Sequence, residues 1–160
     1  MTILGLSILF LLLPSHAAAP REPRATEFES VMATLAEAWS KQDTKLALSS
    51  FTADALYIQP PDLQMYRGTA ELEKLFAALR PGTFMKFHNL AFDAGTQVGF
   101  GEFSFGRAGA AKADHGVVVV TLRGGRISLW REYFQAGPSS FSDFVKVEGK
   151  TWKWTVTDLQ

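Results

Sequence analysis

The run Gly116 to Phe134, GVVVVTLRGGRISLWREYF, constrains the fold more than any other stretch of the chain. Val117 to Leu122 is rich in β-branched residues, Arg123-Gly124-Gly125 is turn chemistry, and alternating character resumes from Arg126 to Phe134. The run therefore predicts a β-hairpin. Side chains of a strand point alternately to its two faces, so Ser128, Trp130, Glu132 and Phe134 share one side. Ile127, Leu129, Arg131 and Tyr133 share the other. A carboxylate between two large aromatics is unusual for a plain core face, because burying an ionised group without a partner costs several kcal/mol. Glu132 is thus partnered, exposed at an open mouth, or working.

The chain before the hairpin reads as helices followed by strands. Phe28, Val31, Met32, Leu35, Ala38 and Trp39 recur at helical spacing and predict one long amphipathic helix. Asp43 is placed to cap a short second helix over Thr44 to Ser50. Ala55 to Gln59 reads as a strand broken by Pro60-Pro61-Asp62, and Thr69 as the cap of a third helix carrying Leu72, Leu75, Phe76 and Leu79. Phe84 to Phe92 and Gln97 to Phe105 are aromatic-rich strands, with Gly99 and Gly101 marking a bend or a close approach by a neighbour. After Gln135, Phe141 and Phe144 suggest a short helix, and Trp152, Trp154 and Val156 alternate as in a strand. Helices first and an antiparallel run after is the α+β pattern, with the helices in the curve of one bent sheet.

Composition narrows the function. The 160 residues hold 16 basic and 16 acidic side chains, so there is no electrostatic drive toward nucleic acid and no polybasic membrane patch. Cysteine is absent, which removes disulfides and a thiolate nucleophile. Thirteen phenylalanines require that much of the interior be aromatic, as core or as the wall of a pocket for a flat apolar ligand. Ile3 to Leu13 is an apolar run followed by Pro-Ser-His-Ala-Ala-Ala-Pro, the pattern of a signal peptide over residues 1–19, with cleavage best placed after Ala17. The expectation is an exported, periplasmic or secreted protein, with no membrane attachment after cleavage. Residues 20–160 would form one domain, with 136–160 as a C-terminal extension.

The motifs in this order carry a resemblance. Phe51-Thr52-Ala53-Asp54-Ala55 opening a strand, Arg67-Gly68 before the third helix, and Gly125-Arg126-Ile127 with Trp130-Arg131-Glu132-Tyr133-Phe134 closing the sheet resemble the nuclear transport factor 2-like superfamily, in its SnoaL-like branch. The resemblance spans residues 27–135. It implies a cone: a strongly bent antiparallel sheet around three helices, with a pocket at the open end and homodimers formed through the outer sheet face. It also implies that Trp130, Glu132 and Phe134 point into the cavity. Members include ketosteroid isomerase, polyketide cyclases, epoxide hydrolases, dehydratases and non-catalytic binders. The isomerase's three polar groups would fall at Gln59, Leu35 and Val118, none of which can take their roles.

The candidate residues follow. Glu132 is a general acid or base, a ligand contact, or one half of an ion pair with Arg107, Arg131 or His115. His115 is a second catalytic candidate, although alternation groups it with Val117 and Val119, opposite the cavity unless Gly116 forms a bulge. Trp39, Tyr57, Phe103, Trp130 and Phe134 are candidate ligand-binding walls or core, and Tyr66 follows the Pro-Pro turn as a rim. His88 and Glu102 are placed to face one another across two strands. The three histidines lack metal-site spacing, and neither metal nor other cofactor is expected. The best reading is a binder of a small hydrophobic or aromatic molecule. The alternatives are an acid/base isomerase, cyclase or dehydratase using Glu132, and a dimeric interaction module.

Overall fold

The computed structural model describes residues 24–146. The signal-peptide expectation and the strand expected around Trp152 and Trp154 lie outside them. Helix α1 runs Ala25–Lys41 and α2 Thr44–Ser49, followed by strand β1 at Phe51–Gln59. A single 3-10 turn, Pro60–Asp62, leads to β2 at Gln64–Arg67 and α3 at Gly68–Ala77. The long strands are β3 (Thr83–Asp93), β4 (Val98–Arg107), β5 (Lys112–Arg123) and β6 (Arg126–Pro138), and a short helix α4 spans Phe141–Phe144.

Local chemistry sets these boundaries. Asp43 caps α2, its carboxylate accepting from the Leu46 amide at 2.9 Å, as expected from its position. The start of α3 differs from expectation. Gly68, at φ 69°, is its first residue, and Thr69 is already inside the helix with its hydroxyl on the Ala53 carbonyl. Glu71 supplies the anchoring there, accepting from the Arg67 amide at 2.6 Å.

The strands form one curved, unclosed sheet in the order β2-β1-β6-β5-β4-β3. Every neighbouring pair is antiparallel except β1 and β6, which run parallel with Tyr57 beside Trp130. Two register shifts reshape the faces. In β3 the pairing steps from Phe87 opposite Phe103 to Asn89 opposite Glu102, leaving His88 as the extra residue. Inward positions therefore change parity, from Met85 and Phe87 to Leu90 and Phe92. In β6 the pairing steps from Ile127 opposite Leu122 to Leu129 opposite Thr121, with Ser128 as the extra residue. This corrects the simple alternation: Ile127 is wholly buried in the core together with Trp130, three residues on.

The core lies between the concave face and the helices. Phe28, Met32, Leu35 and Trp39 of α1 and Leu72 and Phe76 of α3 meet Phe51, Tyr57, Phe103, Val118, Val120 and Trp130 of the sheet. Gly99 is where the Phe28 ring comes closest. A Cβ there would stand 2.5 Å from the ring, so glycine admits the helix to the sheet.

Candidate functional site

A cavity of about 200 Å³ opens inside the concave face, where β1, β4, β5 and β6 converge. Its aromatic walls are Trp39, Tyr57, Phe103, Phe105 and Phe134, and Leu75, Leu79 and Met85 supply aliphatic surface. Its polar groups are Gln59, Asp62, Asp114 and Glu132.

Glu132 is 3% exposed. Its carboxylate is held by neutral donors and not by a cation. Tyr57 Oη donates to Oε1 at 2.9 Å, the Gln59 side-chain amide donates to the same oxygen, and Trp130 Nε1 donates to Oε2 at 2.8 Å. The arrangement follows from β1 and β6 running side by side in parallel. That pairing sets Tyr57 next to Trp130 and brings the end of β1 to Glu132. The ion pair with Arg107, Arg131 or His115 weighed from the sequence is not what the fold forms.

Burial pushes the Glu132 carboxyl above its ordinary range, and the charge of Asp62 adds to this; the bonds from Gln59, Trp130 and Tyr57 oppose it. Burial, then the Glu132 charge, raises the Tyr57 hydroxyl well above its ordinary value, so it stays a donor. Asp114 is raised by burial and by Asp62. The arrangement can receive a hydrogen-bond donor or a positive charge at its acidic end and a flat apolar body against the rings. A carboxyl with a raised pKa can also exchange a proton with a bound molecule.

The other sequence candidates fall as follows. Trp39, Tyr57, Phe103 and Phe134 line the cavity with Glu132. Trp130 stands behind it, stacked on Tyr57 and presenting its indole N–H to Glu132. Tyr66 packs edge-on against Tyr57 at 6.0 Å, with its hydroxyl on Gln64. His115 lies away from the cavity, as its alternation with Val117 and Val119 predicts, so its candidacy as a catalytic group falls. Gly116 sits in regular pairing opposite Phe134, so His115 keeps its parity and lies on the outer face. There Nε2 meets the Pro138 carbonyl at 2.5 Å and Nδ1 meets Ser104 Oγ at 2.7 Å, with His88 Nε2 on the same hydroxyl at 2.7 Å. His115 cannot serve a reaction in the cavity. His88 faces Ser104 rather than Glu102, whose partner is Asn89.

Sequence reasoning missed Gln59, Asp62, Phe105 and Asp114 as parts of the site. Phe105 and Asp114 were within reach of it, since Phe105 shares parity with Phe103, and Asp114 with Val118 and Val120. Gln59 was within reach too, since it shares parity with Tyr57 on β1, whereas Asp62 depends on how the Pro-Pro turn folds back, which periodicity does not encode.

An α+β roll whose curved sheet closes around a buried carboxylate defines a cavity-bearing class of small proteins. The chain belongs to the SnoaL-like domain family, whose model matches residues 32–130, and so to the nuclear transport factor 2-like superfamily. A protein of unknown function with a cystatin-like fold from Methylobium petroleophilum PM1 superposes with a TM-score of 0.64 at 16% identity, covering 84% of this chain and 100% of that one. An NTF-2 like protein of unknown function from Burkholderia xenovorans LB400 gives 0.61 at 16% identity, covering 79% and 98%. An LEH-like epoxide hydrolase from M. tuberculosis gives 0.59 at 20% identity, covering 71% and 86%. No curated protein matches the chain.

Proposed function

We propose that this protein binds a small, flat, largely apolar molecule in the cavity and orients it through Glu132. The observation that carries this reading is a buried carboxylate fixed by three neutral donors at the wall of an aromatic cavity. So costly a group is retained where a ligand uses it. A dry cavity of about 150 Å³ takes benzene, so about 200 Å³ suits one ring with a short substituent. The test is native mass spectrometry of gently purified protein, followed by identification of any released compound, with tryptophan fluorescence titrations of single-ring compounds. Retained or titrating compounds support the reading. A protein that is empty and spectroscopically silent to the whole panel refutes it.

A second reading is favoured by the raised Glu132 carboxyl beside the Tyr57 hydroxyl. Glu132 would take a proton from the substrate, and the Tyr57 hydroxyl, released as that carboxyl becomes neutral, would turn its one proton to the oxyanion that develops on the substrate. One fold neighbour is named as an epoxide hydrolase. On any substrate found, Glu132→Gln should lose activity without loss of fold. Full activity in that variant removes Glu132 from the chemistry.

A further inference from the structure

The cavity is acidic as well as aromatic, and among the described residues no basic side chain lines it. Glu132 comes from β6, Asp62 from the turn Pro60–Asp62 and Asp114 from β5. Asp62 acts on both of the others, adding to the effect of burial on each, so the three share one field. The ion pairs Lys41–Glu37 and Arg123–Asp54 lie elsewhere. Arg80, Arg107 and Lys112 line the adjoining depression, which shares Asp114, but they do not line this cavity.

Among the described residues, no three His, Asp or Glu groups come close enough together to hold a metal ion. A spread set of carboxylates suits a larger cation with diffuse charge. The walls suit it as well, because ring faces attract alkylammonium groups. A second observation is independent of charge. Trp39, 3% exposed and on the cavity wall, has an indole N–H with no acceptor among the described residues. A buried donor left unpaired is costly, and a ligand oxygen would satisfy it.

We infer that the cavity takes an organic ammonium ion of about one ring in size, its charge held among Asp62, Asp114 and Glu132 and an oxygen atom accepting from the Trp39 indole. This rests on the reading of the cavity as a small-molecule site and narrows its ligand to a chemical class.

Two probes of equal shape test it: (4-hydroxyphenyl)trimethylammonium, and 4-tert-butylphenol, in which carbon replaces the charged nitrogen. Binding to the purified protein is followed by calorimetry near neutral pH. The ammonium should bind about tenfold more tightly than its neutral isostere. Replacing both rim carboxylates, Asp62→Asn with Asp114→Asn, should bring the two affinities together. If the isostere binds as well as the ammonium or better, the charge assignment falls while the cavity remains a site. If neither binds, the inference falls together with the reading it rests on.

Discussion

Tyr57 and Trp130 lie face to face on adjacent parallel strands, 5.7 Å between ring centroids and 15° between ring planes, and both donate to the Glu132 carboxylate. The stack fixes the two donors relative to each other, and the carboxylate is fixed by both. Tyr57→Phe keeps the stack and removes one donor. It should cost about 1.5–3 kcal/mol, the range for a hydrogen bond to a charged group. Urea unfolding measures the loss, and a change of only a few tenths would mean that the bond is not assisted by charge.

Glu132→Gln should show its effect in the pH dependence of stability. The folded carboxyl lies above its ordinary value of 4.5, mainly because it is buried. Its contribution is therefore fully present below that value and is lost as pH rises through the raised pKa. Melting temperatures of the variant and the parent should diverge in the variant's favour as pH rises above 4.5, beyond any constant offset from the altered bond to Trp130. A difference that does not change with pH would show that Glu132 titrates alike in the folded and unfolded chain.

Gly116 of β5 pairs with Phe134 of β6 and leaves no room for a side chain. A Cβ at this position would lie 1.9 Å from the Tyr133 carbonyl oxygen and 2.7 Å from the Phe134 Cα, both backbone atoms that cannot turn aside. Gly116→Ala should destabilise by about 3 kcal/mol and shift Phe134 at the cavity wall. Thermal melts check the first effect and ligand titration the second. A variant of parental stability would mean that the strands part at little cost.

His88, Ser104 and His115 form a hydrogen-bonded relay on the outer face, beneath the rings of α4. Phe141 stacks on His88 at 3.9 Å and Phe144 on His115 at 4.6 Å. Burial, then Lys86 and His115, lower the His88 pKa from 6.5, and Glu102 opposes them. A lowered imidazole stabilises the fold above its unfolded value, and that contribution drains away as pH falls below it. Between about pH 7 and about pH 5, the parent should lose more melting temperature than His88→Asn. Equal losses would place the acid sensitivity elsewhere.

The hairpin, the three leading helices and the Trp130–Glu132–Phe134 face were legible because each follows from a period of 2 or 3.6 in the apolar residues. What escaped was of another kind. The bulges at His88 and Ser128 insert one residue and reverse which side chains face inward, so Ile127 joined the core against strict alternation. The parallel contact of β1 with β6 joins distant segments, and nothing local announces it. Glu132 drew notice as a carboxylate among aromatics, but two of its three partners come from β1, and Gln59 reads in isolation as a surface amide. His115 was placed correctly by its parity, and its bond to Ser104 depends on a neighbouring strand.

The meeting of Tyr57 with Glu132 spans 75 positions of sequence. Pairing so remote carries a large loop-closure entropy and slows folding relative to local hairpins. The order of events follows: the hairpin of β5 and β6 can form early, since its strands are adjacent, while β1 must search for β6 across the intervening chain. A polypeptide shortened before Trp130 would lack both the strand that β1 pairs with and the acid it surrounds. The binding chamber is therefore a late product of folding, and its appearance should coincide with the slowest phase in refolding.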